Sequence, residues 1–231
     1  PPLPENRVLL QIPGLLNQPQ IDKIHDLIGR SGFRDGKATA GVAARLVKRN
    51  EEMTPDEQAQ QLLNRILMSS LGEQQLFHYA AMPAKLADFI LARYDPEMEY
   101  GDHVDEPVMG GPGPKFRTDI SMTVFLTPPE SYAGGELVIR TSFGDNRVKL
   151  AAGDAVIYPS SSLHHVAKVT RGQRIVALTW IQSQVREPAR REILFDLATT
   201  RDRLHEQESG SELHQRIDRS YANLLRMWAE V

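Results

Sequence analysis

The sequence predicts a mainly β protein of the α+β class, in which helices flank a β core. Short segments rich in β-branched and aromatic residues follow one another from about residue 75 to residue 183, separated by turn sequences at 128–129, 134–135 and 171–172. Apolar residues at helical spacing occur before and after this region. Many short strands with turns at such intervals are typical of a β-sandwich, a jelly roll or a barrel.

The N-terminal part of the chain is predicted to contain one strand and two helices. The strand lies at 8–12, and the first helix at 18–28, where apolar residues recur three or four positions apart. Residues 32–41 include three glycines and are predicted to form a loop. The second helix is predicted to begin at Thr54, a capping residue followed by proline and two acidic residues, and to end near residue 70.

The central and C-terminal parts complete the predicted architecture. The core strands are predicted at 75–80, 86–94, 116–126, 136–140, 147–150, 154–158, 164–169 and 174–181. The pattern becomes helical again at 190–206 and 213–230. We therefore predict one domain over residues 1–183, with N-terminal helices packed on the β core, and a C-terminal helical extension over residues 184–231.

Composition excludes several classes of protein. The chain has 231 residues and a formal net charge of -3, so no overall basic field indicates a nucleic-acid partner. It contains no cysteine, which excludes disulfides, thiolate metal sites and cysteine nucleophiles. The absence of cysteine fits a reducing compartment, and we expect a cytoplasmic protein. No apolar run approaches the roughly 20 residues that a membrane-spanning helix needs, so we expect no membrane partner.

The first candidate site is the triplet of His103, Val104 and Asp105. On a strand alternate side chains share a face, so His103 and Asp105 can point into one cavity while Val104 points away. An imidazole and a carboxylate together suit a divalent iron-type ion. Such a triplet also occurs by chance on surfaces, and a solvated loop is the alternative interpretation.

The second candidate segment runs from His164 to Arg174. Because side chains alternate, only one of His164 and His165 can face the cavity, and we favour His164. With His103 and Asp105 it would complete a 2-His-1-carboxylate set with open positions, the arrangement typical of non-haem Fe(II) oxygenases. Arg174 opens the next predicted strand, and a buried guanidinium there fits a carboxylate bidentately. A structural arginine paired with an internal acid is the alternative.

With these residues in place, the sequence resembles the PKHD-type (prolyl/lysyl hydroxylase-like) family of Fe(II)/2-oxoglutarate dioxygenases, in its bacterial branch associated with iron uptake. The resemblance spans nearly the whole chain. It is carried by 35–41, 93–107, 116–139, 158–183 and the ending 221–228.

The resemblance implies a double-stranded β-helix, or jelly roll, with a catalytic segment at about 75–183. It implies that His103, Asp105 and His164 hold one Fe(II) and that Arg174 binds the distal carboxylate of 2-oxoglutarate. Tyr94 would lie against this co-substrate, although it fits an ordinary core aromatic residue equally well. The implied reaction couples oxidative decarboxylation of 2-oxoglutarate to succinate and CO2, using O2, to hydroxylation of a substrate. L-ascorbate would re-reduce the iron.

The substrate and the oligomeric state are less constrained. Arg117, Asp119 and Ser121 share one face of the predicted strand 116–126 and could line a substrate cavity; an internal ion pair between Arg117 and Asp119 is the alternative. The substrate could be a small molecule or a peptidyl side chain. An apolar face of the last helix, which includes Leu213 and Leu224, fits either packing or a homodimer contact. A non-oxidative jelly-roll metalloprotein, an isomerase, a hydrolase or a ligand-binding module, is the alternative function.

Overall fold

The computed structural model of the protein describes residues 9–110 and 113–230. Two antiparallel sheets form its centre. The larger contains eight strands in the order β1-β14-β10-β17-β6-β4-β2, and β5 pairs with β17 beside this path. These strands are β1 (Leu10–Ile12), β2 (Gly32–Asp35), β4 (Glu51–Thr54), β5 (Pro83–Leu86), β6 (Ile90–Tyr94), β10 (Ile120–Phe125), β14 (Ala155–Pro159) and β17 (Arg174–Ser183).

The smaller sheet contains five strands in the order β13-β12-β15-β7-β3. These are β3 (Lys48–Arg49), β7 (Glu99–His103), β12 (Leu137–Thr141), β13 (Gly144–Val148) and β15 (His164–Val166). Two short ribbons accompany the sheets: β8 (Val108–Met109) with β9 (Phe116–Arg117), and β11 (Ala133–Gly134) with β16 (Val169–Arg171). The predicted mixture of helices with a β core is therefore present, with antiparallel strands throughout.

Six α-helices accompany the sheets in the described part of the chain. They are α1 (Gln18–Arg30), α2 (Ala44–Val47), α3 (Glu57–Gly72), α4 (Gln75–Ala81), α5 (Pro188–Glu208) and α6 (Glu212–Trp228), together with 3-10 turns at Gly36–Thr39 and Pro129–Ser131. Local capping explains where two of them begin. Asn17 and Gln20 form a capping box at α1, and the Asp56 side chain accepts a hydrogen bond from the Ala59 amide at α3. None of these helices combines the length and apolar character that crossing a bilayer requires.

Several sequence-based boundaries were wrong. The predicted strand 75–80 is helix α4, whose Phe77 and Ala81 are buried four residues apart; a short apolar run does not distinguish strand from helix. The predicted loop 32–41 contains β2, and β3 and β4 were missed, because pairing with distant strands stabilises these segments. Thr54 ends β4 and does not cap α3. Residue 8 of the first predicted strand lies outside the described residues.

The two sheets pack against each other and leave a cavity between them. Side chains from both sheets form one hydrophobic cluster, with Tyr94, Phe125 and Val176 from the larger sheet and Leu137 and Val166 from the smaller. The opposite face of the larger sheet packs against helices α1, α3 and α4. A third cluster joins Met82 and Val185 to the C-terminal helices. The helices therefore cover the outer face of the larger sheet, and the cavity between the two sheets can hold a buried site.

Candidate active site and metal centre

Three potential metal ligands converge at one end of this cavity. One donor atom each from His103, Asp105 and His164 can be chosen so that all three lie within 4.8 Å of one another. Each histidine Nε2 lies 3.9 Å from a carboxylate oxygen of Asp105. Both histidines are buried. The structure thus brings together the three residues that the sequence singled out.

The strand alternation invoked for His103 and Asp105 does not apply, because β7 ends at His103 and Asp105 lies in the segment that follows. A hydrogen bond from the Ser121 hydroxyl of β10 holds the Asp105 carboxylate at 2.5 Å, and Ser121 in turn contacts the Ser160 hydroxyl at 2.7 Å. A side chain from the other sheet therefore orients the carboxylate.

A β-bulge sets the orientation of His103. His164 pairs with His103 and Val166 with Tyr100, so three steps along β7 oppose two steps along β15. In a regular strand, Tyr100 and His103 would point to opposite faces. Here their rings stack with centroids 3.6 Å apart. Gly101 lies within the bulge, where an added Cβ would stand 2.8 Å from the Val47 Cβ.

Both histidine rings are oriented by backbone carbonyls. His103 Nδ1 lies 2.8 Å from the Gly101 carbonyl oxygen, and His164 Nδ1 lies 2.9 Å from the Ser162 carbonyl oxygen. A carbonyl only accepts hydrogen bonds, so each Nδ1 carries the proton and each Nε2 presents a lone pair to the site. Burial, reinforced by the neighbouring His164, lowers the pKa of His103 to about 4. His103 is therefore neutral at physiological pH, the form in which imidazole binds metal.

His165 points to the other face of the sheet, as alternation predicts. It contacts Asp102 on the outer surface, where its side chain is 22% exposed. Of the two adjacent histidines, His164 is the one that faces the cavity.

Arg174 lines the same cavity. The residue is 1% exposed. It pairs across the strands with Tyr94, and its Cζ lies 5.0 Å from the centre of the Tyr94 ring. Among the described residues, its Nε and Nη1 atoms have no hydrogen-bond partner. Since a buried cation without an anion is unfavourable, this end of the cavity fits an anionic ligand.

Two tyrosines adjoin Arg174, and a third adjoins His164. Tyr94 belongs to the larger sheet and adjoins Arg174. Burial raises its pKa to about 12, so its hydroxyl stays protonated and can donate. Tyr132 was not predicted; it is 2% exposed, and its hydroxyl has no partner among the described residues. Gly135 separates it from Arg174, since a Cβ there would stand 3.0 Å from both side chains. Tyr158 lies edge-on to His164.

Arg117 and Asp119 were predicted to line a substrate cavity, and the structure places them elsewhere. Arg117 Nε lies 2.6 Å from Asp119 Oδ1, and the other Asp119 oxygen accepts a hydrogen bond from the Ser183 amide. Neither residue lines the cavity, whereas Ser121 does. The alternative ion pair is thus the one that forms. Alternation failed because the predicted strand 116–126 is interrupted between β9 and β10.

A buried polar wall was also missed. Lys48 and Glu52 line the cavity, are 5% and 2% exposed, and form an ion pair of 2.6 Å. The Thr39 hydroxyl donates to Glu52 and accepts from Lys48. The spacing of residues in the sequence does not indicate this wall. Its side chains come from a 3-10 turn and from two short strands, β3 and β4, that the sequence did not predict.

Comparisons with known proteins agree with this geometry. A family model described as the 2OG-Fe(II) oxygenase superfamily matches residues 89–182, which include the three potential ligands and Arg174. Among solved structures, a prolyl hydroxylase of Trichoplax adhaerens in complex with a peptide fragment of hypoxia inducible factor aligns with a TM-score of 0.57 at 14% identity, covering 82% of this chain and 87% of that one. A viral collagen prolyl hydroxylase of Paramecium bursaria Chlorella virus-1 aligns with a TM-score of 0.50 at 19% identity, covering 76% and 96%.

Sequence relatives define the family more closely. A PKHD-type hydroxylase of Thioalkalivibrio sulfidiphilus is 48% identical over 97% of this chain and 100% of its own length. Another, of Burkholderia ambifaria, is 40% identical over 96% of this chain and 100% of its own length. The chain belongs to the PKHD-type hydroxylases, within the 2OG-Fe(II) oxygenases. The predicted reaction class, Fe(II)- and 2-oxoglutarate-dependent hydroxylation with O2, is confirmed.

Proposed function

We propose that His103, Asp105 and His164 hold the catalytic iron and that Arg174 binds the distal carboxylate of 2-oxoglutarate. The observation that carries this proposal is their position in one cavity: three convergent donor atoms at one point, and a buried guanidinium with unpartnered N–H groups at another. When bound, iron and 2-oxoglutarate supply the oxidising chemistry, in which O2 is consumed, succinate and CO2 form, and a substrate C–H bond is hydroxylated.

The donor set supports iron as the resident metal. Two imidazoles and one carboxylate occupy one side of the site, the facial arrangement used by non-haem Fe(II) oxygenases. The chain's own contribution is orientation. The carbonyls of Gly101 and Ser162 fix the tautomers of the two histidines, and Ser121 fixes the carboxylate. The three donors are therefore arranged before the metal arrives, which lowers the ordering cost of binding.

The surroundings of Arg174 support a dicarboxylic co-substrate. Its guanidinium can receive a carboxylate bidentately, and the hydroxyl of Tyr132 is an additional candidate donor for the same group. The ring of Tyr94 lies beside the Arg174 guanidinium, and this position supports the proposal that Tyr94 also lies against the co-substrate. The rings of Tyr94 and Phe125 lie beside the guanidinium and lower the local dielectric constant, which would strengthen the charge–charge interaction with a bound carboxylate.

The substrate would occupy the remaining part of the cavity. The polar groups there include the Lys48–Glu52 pair, Thr39, Glu106 and the indole N–H of Trp180, which has no partner among the described residues. These groups favour a substrate with hydrogen-bonding groups close to the hydroxylated carbon. Both a small molecule and a peptidyl side chain meet that condition.

The test is Fe(II)-dependent formation of succinate from 2-oxoglutarate by the purified protein. We expect succinate with Fe(II), and none with His164→Ala or without metal. A wild-type protein that binds Fe(II) but leaves 2-oxoglutarate unchanged would contradict the proposal, and would favour a non-oxidative metalloprotein. An untargeted search for metabolites or peptides that gain one oxygen in cells containing the active protein, compared with the His164→Ala variant, would identify the substrate.

The finer structural expectations belong to the same proposal. The face-to-face sheets, each with antiparallel strands, support a double-stranded β-helix as the core of the proposed domain 1–183, and helices α5 and α6 belong to the proposed extension 184–231. L-ascorbate is proposed as the reductant that restores iron after uncoupled turnover. Leu224 is partly buried against the third cluster, whereas Leu213 and Met227 are exposed on α6 and support a homodimer contact, which sedimentation analysis would test.

A further inference from the structure

Directly behind the candidate metal site, an aspartate, an arginine and a histidine side chain meet on the outer face of the smaller sheet. Asp102 Oδ1 lies 2.9 Å from His165 Nδ1 and 3.1 Å from Arg140 Nε, and Asp102 Oδ2 lies 2.6 Å from Arg140 Nη2. We call these three residues the Asp102 cluster. They lie on β7, β15 and β12, three neighbouring strands of that sheet. The cluster therefore ties together the strands that carry both histidines of the site.

The position of the cluster along the chain matters. Asp102 immediately precedes His103, and His165 immediately follows His164. Asp102 also lies within the β-bulge of β7, where the regular ladder with β15 is interrupted. Backbone pairing alone holds a strand less firmly at such an irregularity. The contacts of Asp102 supply a cross-strand connection at the point where the ladder is broken.

We infer that Asp102 is a positioning residue for the metal site. By binding Arg140 and His165 on the outer face, it holds the bulge in the register that turns His103 toward His164 on the inner face. This inference rests on the proposed iron site. It assigns the cluster no contact with metal, co-substrate or substrate, since its side chains point away from the cavity.

The physical consequence is a change in the fraction of molecules that are ready to bind metal. If the bulge slips, His103 turns away from the site and the molecule cannot bind metal. The apparent dissociation constant for the metal then equals the intrinsic constant divided by the fraction of molecules in which His103 faces the site. Exposed ion pairs contribute little to global stability. Loss of the cluster should therefore weaken metal binding without unfolding the protein.

The experiment measures Co(II) binding to the metal-free full-length protein by titration, together with its thermal unfolding. We expect Asp102→Ala to weaken Co(II) binding roughly 3- to 10-fold, with an unchanged melting temperature. Asp102→Asn keeps an oxygen acceptor and should lose less. At saturating Fe(II), kcat and the KM for 2-oxoglutarate should equal those of the wild type, because the intact site is restored by mass action.

Two further variants make the result specific. Glu99 lies on the same strand as Asp102 but outside the bulge, and its carboxylate lies 3.9 Å from Arg49 Nη1 of the neighbouring strand β3. Glu99→Gln removes this ion pair and should leave Co(II) affinity unchanged. His103→Ala should abolish tight Co(II) binding. If His103→Ala binds Co(II) like the wild type, the proposed metal site is wrong. If His103→Ala loses binding while Asp102→Ala stays within twofold of wild type, or matches Glu99→Gln, only the positioning role is overturned.

Discussion

Replacing Arg174 by methionine tests whether this buried cation exists to bind the co-substrate. Methionine fills similar space without charge. In the wild type, two guanidinium N–H groups have no partner among the described residues, and both are available to a carboxylate. Charge-assisted hydrogen bonds contribute about 1.5–3 kcal/mol each, so the loss of two should cost about 3–6 kcal/mol of 2-oxoglutarate binding. At about 1.4 kcal/mol per factor of ten, affinity should fall roughly 100- to 20,000-fold.

The same substitution should have the opposite consequence for the ligand-free protein. Removing an unpaired buried charge relieves a desolvation penalty, so the free energy of unfolding should stay within about 1 kcal/mol of wild type or rise. Lys48→Met is the matched control, because Lys48 is a buried cation of the same cavity that already has a partner. That variant leaves Glu52 uncompensated and should lose about 3–5 kcal/mol of stability.

The assays are calorimetric titration of 2-oxoglutarate into the protein loaded with Mn(II), and urea unfolding of the protein without ligand. The expected pattern is a large loss of affinity with preserved stability for Arg174→Met, and lost stability for Lys48→Met. An Arg174→Met protein that binds 2-oxoglutarate within about threefold of wild type would refute the assignment. So would one destabilised as much as Lys48→Met, since that would make Arg174 a structural residue.

Three other predictions follow from the site. His164→Ala should abolish metal binding, whereas His165→Ala should weaken it only modestly; equal losses in a metal titration would contradict the orientation of the two side chains. Gly101→Ala should lower stability by about 1–3 kcal/mol in urea unfolding, because its Cβ would crowd a valine side chain; Gly72→Ala, which has open space for a Cβ, is the control and should be neutral. The metal-free protein should lose stability as the pH falls from 6.5 to about 4, because His103 stays neutral when folded but takes up a proton when unfolded. The loss should approach roughly 1.4 kcal/mol per pH unit in that window, and a His103→Gln variant with the same pH slope would exclude this cause.

Much of the site could be predicted from the sequence because its chemistry is carried by local patterns. The spacing of His103 and Asp105, and the position of Arg174 ten residues after His164, indicated a facial metal set with an anion-binding group. Alternation chose His164 over His165, and the two side chains do point to opposite faces of β15. The choice succeeded because β15 is a regular strand at this point. The likeness along the chain then indicated the family, which the comparisons confirm.

Other features depend on pairing between distant segments, and no local pattern encodes them. Alternation holds only within an uninterrupted strand. It failed at Arg117 and Asp119, where the strand is broken, and it would have failed at Tyr100, where a bulge adds a residue. Tyr132 reaches the surroundings of Arg174 through a turn, and the Lys48–Glu52 pair depends on two strands stabilised by distant partners. The residue types and their order therefore indicated the chemistry, whereas the register between strands determined which side chains surround it, because register is a property of the partner strand as much as of the segment itself.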